Sequence, residues 1–322
     1  MAVPSPARVS ETPLPTSDTP PKPWPGSEIG GSFVRRTPYR GSGAAPERAL
    51  YVHGLGGAST NWTDLADLLA VRVEGWALDL PGFGRSTPRR RGSYSIRGHV
   101  RAVVELLEQI AAEPGAAQGR PVHLLGNSLG GLVSLFVAAR RPDLVATLTL
   151  ISPAMPVYRP PAAFGPALLL LLLPGMTTVA ERRLAAVPPE QSVRNMVAMC
   201  FGDPARVPPE RLAQAVEEMR ERARQTWANR ALARSMRGLM LSYLRVGRAN
   251  AWRAARGLSM PTLVVWGDRD RLVAPALAPR LAAAITGARL LVVPGVGHVA
   301  MLEAPEETAR VVLGLMEDGA KG

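Results

Sequence analysis

Three residues spread along the chain suit acyl transfer: a serine in a tight glycine turn, a late loop histidine, and an aspartate between them. HLLGNSLGG (His123–Gly131) runs as an apolar strand, turns through GNSLGG and continues as an apolar, alanine-rich helix. A strand-to-helix turn this tight strains its central residue, Ser128, and nearby side chains would clash. Gly126 and Gly130, each two residues from the serine, remove that clash, and Gly131 lets the next helix pack close. The turn pushes the Ser128 hydroxyl into a cleft and aims the helix N-terminus at it. It lacks the lysine and spacing of a phosphate loop.

His298, in PGVGHVAML after the last expected strand, suits a base that takes the serine proton and later delivers it to a leaving group. WGDRDRLV offers two acids after the strand Thr262 to Trp266, and either Asp268 or Asp270 could orient a charged imidazole. Asp268 follows the strand so closely that capping the turn suits it better, which favours Asp270. After the strand Ala49 to Val52, the glycines of HGLGG leave backbone N–H groups free to face a developing oxyanion. The N–H groups of Leu55 and Leu129 are the natural pair. His53 suits holding this loop more than carrying a proton.

These residues need a frame that brings distant loops together. ALYVHG, GWALDLPG, VHLLG, ATLTLIS, PTLVVWG and ARLLVVPG read as short buried strands. They alternate with helical patterns such as IRGHVRAVVELLEQIAA, which predicts βα units on a mainly parallel sheet. In such a sheet, chemistry collects at the carboxyl ends of the strands. From 153 to 258 the pattern is helical without a convincing strand, so this stretch reads as a cap set between two parts of one core, 31–152 and 259–318. Residues 1–30 hold eight prolines and few apolar side chains, and read as a disordered tail.

The single cysteine, Cys200, rules out an intramolecular disulfide and fits a reducing compartment. No signal segment opens the chain, and the leucine run Leu168 to Leu173 is too short to span a membrane, so a cytoplasmic or membrane-peripheral protein is expected. The net charge of +12 comes almost wholly from arginine; between Pro153 and Leu258 there are 16 arginines against 7 acids. No nucleic-acid motif accompanies the charge, so nucleic acid is not an expected partner. A basic cap surface instead suits solvated helix faces or contact with anionic lipid.

With HGLGG, DLPGFGRS (Asp79–Ser86), GNSLGG, WGDRD and Gly297-His298 in order, the chain from about Ser32 to Glu317 resembles the α/β-hydrolase fold family with a helical cap. The resemblance implies an acid three residues after the strand-end glycine, which is Asp270 counted from Gly267. It implies an oxyanion N–H directly after HG, at Leu55, and a conformational role for Asp79, Gly82 and Gly84. A serine nucleophile sets the chain apart from dehalogenases and epoxide hydrolases of this fold, which use aspartate, and points to acyl transfer. The GNS[L/M]GG form and the VVWG strand end also resemble carbon–carbon hydrolases of ring-cleavage products. Those relatives usually carry tryptophan after the catalytic histidine, where this chain has Val299.

The leucine-rich cap segment Phe164 to Met176 fits an apolar ester better than a dicarboxylic dienol. Leu168, Leu169, Leu172 and Val299 are the expected substrate contacts. The expectation is therefore an esterase or lipase-type serine hydrolase without cofactor or metal. The alternatives are a carbon–carbon hydrolase and a non-catalytic binding scaffold; no triad member is missing, as the latter would suggest.

Overall fold

A computed structural model describes residues 5–16, 19–42, 46–89, 94–115, 117–157 and 170–319. The strands are β1 (Ser5–Pro6), β2 (Gly26–Ile29), β3 (Ser32–Thr37), β4 (Glu47–Val52), β5 (Val73–Leu78), β6 (Val122–Asn127), β7 (Val145–Ile151), β8 (Thr262–Gly267) and β9 (Arg289–Val293). Among the described residues they form one sheet in the order β1-β9-β8-β7-β6-β4-β5-β3-β2. Neighbours are parallel except in the β2–β3 and β3–β5 pairs. This is the mainly parallel α/β architecture that the alternating pattern predicts.

Helices α1 (Thr63–Leu69), α2 (Ile96–Ala112) and α3 (Leu129–Arg140) precede β7. Between β7 and β8 come α4 (Met176–Ala185), α5 (Pro189–Cys200), α6 (Pro209–Ala223), α7 (Ala228–Tyr243) and α8 (Ala251–Arg256), with no strand among the described residues there. α9 (Leu277–Ala284), α10 (Ala300–Glu303) and α11 (Pro305–Gly319) follow β8.

Successive strand side chains point to opposite faces, so a sheet covered on both sides favours apolar residues on both of them. β4 shows this: Ala49 and Tyr51 join one buried cluster, with Leu125, Val265 and the apolar sides of α1 and α11. Leu50 and Val52 join the other, with Leu124, Trp266 and residues of α2, α3 and α9. Strand order reverses at β4, which pairs with both β5 and β6. Loops leaving β4 and β6 therefore meet at a switch point, the usual crevice of such sheets.

The N-terminal stretch departs from the expected disordered tail. β1 extends the sheet beyond β9, with Ala7 N–H donating to Leu290 O at 3.1 Å. Ser10 is buried and pairs with Glu317, while Arg8 meets Asp318 at 2.7 Å. Proline lacks an N–H, so such a segment can still lie at a sheet edge when polar anchors hold it. β2 and β3 form a hairpin across Gly30 and Gly31, whose φ angles of 57° and 72° are those of a two-residue turn that favours glycine at both places.

Candidate active site

Ser128 sits between β6 and α3 with φ 52° and ψ −116°, a conformation costly for a side-chain-bearing residue. The surroundings enforce it. Ser128 N–H donates to Ile151 O at 3.1 Å, and Ser128 O accepts from Ala154 N–H at 2.9 Å and Leu132 N–H at 3.0 Å. A β-carbon at Gly126 would lie 2.5 Å from Gly130 O, and one at Gly130 would lie 2.2 Å from Val52 O. Both obstacles are backbone, so neither position tolerates a side chain without moving the main chain of α3 or β4. α3 begins at Leu129 and directs the positive end of its dipole at the turn.

His298 is buried, and its Nδ1 lies 2.8 Å from Asp270 Oδ2. The other Asp270 oxygen accepts the N–H groups of Leu272 at 2.8 Å and Val273 at 2.9 Å. A carboxylate only accepts, so the proton between the two side chains belongs to Nδ1 and Nε2 is left as an acceptor. Asp268 is exposed and takes a different partner, Gly295 N–H at 2.7 Å. Of the two acids offered by the sequence, Asp270 is the one against the histidine.

Three further side chains hold this arrangement, and the sequence reading passed over them. Asn127 Nδ2 donates to Ile151 O at 3.1 Å and to His298 O at 3.0 Å, tying the histidine loop to the residue beside Ser128. Glu303 accepts Gly297 N–H on one oxygen and Gly202 N–H on the other, each at 2.8 Å. Burial raises the Glu303 carboxyl above its ordinary range, against the pull of its backbone donors. His298 N–H also donates to Cys200 O at 2.6 Å, so the end of α5 and Glu303 grip the loop together.

The third is Arg222, on α6, whose Nη1 donates to Gly56 O at 2.8 Å. Its guanidinium lies over Phe83, 5.6 Å from the ring centre, and burial lowers its pKa to about 10. The loop it holds follows β4. His53 is fully buried, with Nδ1 against Gly54 O at 2.7 Å and Nε2 accepting Leu80 N–H at 2.9 Å. Burial lowers its pKa, and both ring nitrogens are spent on backbone, as the loop-holding reading expects.

Gly54 approaches the serine so closely that an added β-carbon would be 3.1 Å from Ser128 Cβ. Neither Leu55 N–H nor Leu129 N–H donates to another group among the described residues. Asp79 takes Ser59 N–H at 2.5 Å and Arg85 N–H at 2.8 Å, which shapes the neighbouring loop.

The expected substrate contacts are placed unevenly. Leu168 and Leu169 lie outside the described residues. Leu172 is half-buried, with Leu170 and Leu173 exposed beside it. Val299 is buried, in the apolar cluster that also holds Val265, Val296 and Met301.

A sequence profile described as the alpha/beta hydrolase family matches residues 49–311. The chain is 32% identical to the dihydrolipoyllysine-residue acetyltransferase component of an acetoin cleaving system from Pseudomonas putida, over 90% of this chain and 68% of that protein. It is 28% identical to lipase 3 of a Moraxella species, over 82% and 75% of the two chains. A solved membrane phospholipase A superposes with a TM-score of 0.70 at 25% identity, over 92% and 86%. A meta-cleavage product hydrolase from Pseudomonas fluorescens IP01 gives the same TM-score at 19% identity, over 92% and 98%, a likeness of fold.

Proposed function

Because the chain belongs to the alpha/beta hydrolase family, we propose that it is a serine-dependent carboxylic-ester hydrolase acting on an apolar acyl group. The observation that carries this reading is the strained Ser128 turn tied, through Asn127, to a histidine whose Nδ1 is held by Asp270. His298 Nε2 takes the serine proton as Oγ attacks the ester carbonyl. The oxyanion forms against Leu55 N–H and Leu129 N–H, where the α3 dipole adds to the two donors. His298 then protonates the leaving alcohol, and an ester of Ser128 remains. Water, deprotonated by the same nitrogen, releases the acid. The helices between β7 and β8 act as a cap, and Arg222 fixes the oxyanion loop from it.

The apolar acyl group rests on the likeness to lipase 3 and on the leucines before α4. Initial rates on p-nitrophenyl esters from acetate to palmitate test the reading, with Ser128→Ala beside the parent. A serine-dependent rate is expected, with its optimum beyond acetate. No turnover at any length, in folded protein, would shift the weight to carbon–carbon cleavage.

A second reading is favoured by the acetyltransferase relative: the same acyl-enzyme hands its acyl group to a thiol or alcohol rather than water. A dithiol or alcohol acceptor added at constant ester would then raise release of the first alcohol and yield the corresponding thioester or ester.

A further inference from the structure

α4 and α7 lie side by side and run in opposite directions. Glu181 on α4 meets Arg230 at 3.6 Å and Arg234 at 4.0 Å near the start of α7, whereas Leu171, before α4, accepts Arg237 Nε at 3.1 Å further along. Positions 230, 234, 237, 241 and 244 follow each other by three or four residues, so they form one stripe. Its two ends differ. At one end Arg230 and Arg234 are exposed, as are Arg182 and Arg183, which follow Glu181 on α4. At the other, Leu241 and Leu244 are exposed, Leu244 at 69%, and so are Leu170 and, at 53%, Leu173, which flank the Leu171 that bonds Arg237. Val246 follows at 83% exposure, with Arg245 beside it.

Exposed leucines grouped this way are not the ordinary scatter of single apolar side chains on a soluble surface. Glu181 is the sole acid in α4 and α7. A second copy of the chain would bring the same arginines and the same lone acid, so charge does not favour self-pairing. A surface that offers dense negative charge and an apolar layer just beneath it satisfies both ends at once.

We propose that the α4–α7 face docks on an anionic bilayer, with the leucine end inserted below the headgroups and the arginines on lipid phosphates. Guanidinium forks suit phosphate oxygens, and the leucine side chains need only reach the acyl boundary. Docking is read by sedimentation without turnover, so its test does not depend on whether Ser128 is a nucleophile.

The test is sedimentation of the full chain with phosphatidylcholine vesicles, with and without about one-third phosphatidylglycerol. Binding is expected only with the anionic lipid and is weakened by salt. Arg182→Gln, Arg183→Gln and Arg245→Gln combined are expected to weaken it about 100-fold, from about fivefold for each arginine at the surface. Leu173→Asn with Leu244→Asn weakens it at all salt concentrations. Arg253→Gln with Arg256→Gln, two exposed positions on α8, is expected to leave binding within about twofold. Melting temperatures confirm that each variant is folded. Failure to bind anionic vesicles, equal binding to phosphatidylcholine alone, or an equal loss in the α8 variant would overturn the proposal. So would a dimer in sedimentation velocity, abolished by the leucine pair, in protein that ignores vesicles.

Discussion

Asp270→Asn separates the role of the carboxylate from its place in the fold. The introduced amide keeps an oxygen where Asp270 Oδ1 accepts Leu272 N–H and Val273 N–H, so the local turn survives. Its NH2 group then faces His298 Nδ1, 2.8 Å away in a buried site, and donates to it. The imidazole is driven to carry its proton on Nε2, where the serine proton should go. Restoring the useful tautomer sets two N–H groups against each other, at a cost of about 3 kcal/mol. The imidazolium formed during attack also loses its carboxylate partner, about 2–3 kcal/mol more. Together these predict a fall in kcat of about 10⁴-fold, with KM changing little. The assay is turnover of a p-nitrophenyl ester at saturating substrate, with melting temperature and circular dichroism as fold controls. Asp268→Asn, at an exposed turn, is the matched comparison and should stay within about twofold. A folded Asp270→Asn protein within tenfold of the parent would refute this reasoning.

Other outcomes follow from the same contacts. Arg222→Met keeps the buried volume but frees Gly56 O, and is expected to lower kcat about 10–30-fold, with partial rescue by Arg222→Lys. Gly130→Ala must push Val52 O aside and should destabilise the protein by about 3 kcal/mol or more, seen as a clear drop in melting temperature. Glu47 is held down from its ordinary 4.5 to about 2 by the hydrogen bond with His123 and by Arg72. A depressed carboxyl stabilises the fold above its unfolded pKa and loses that contribution as pH falls toward 2. Because the pair is partly exposed, Glu47→Gln should cost about 1 kcal/mol at pH 7 and progressively less below pH 4.5, measured by thermal melts across that range.

The parts of the molecule legible in the sequence are those whose causes are local. Buried strands announce themselves because a sheet covered on both faces favours continuous apolar runs, and β4, β7 and β8 fall within two residues of their expected runs. The serine turn is legible from its glycine spacing: the obstacle at Gly126 is Gly130 O four residues on, although that at Gly130 is Val52 O on β4. Asn127, Glu303 and Arg222 are not, because each has a partner 101 to 171 residues distant and no period or spacing encodes such pairings. For Asn127 a signal existed, since it occupies the variable place before the serine and can reach sideways to a neighbouring loop.

The proline-rich start misled for a different reason. Low apolar content correctly excludes a core segment, but it does not exclude an edge strand anchored by Arg8 and Ser10 to the acids that end α11. The paired glycines Gly30 and Gly31 were a readable hairpin signal hidden by the composition around them.

The central claim is that Ser128 carries the acyl group. Intact-mass analysis of the protein quenched in acid during turnover of a p-nitrophenyl ester tests it most directly, followed by peptide mapping. A mass increase equal to the acyl group is expected, located on the peptide holding Ser128 and absent from Ser128→Ala. Steady turnover that persists in Ser128→Ala, or an adduct on another residue, would contradict it.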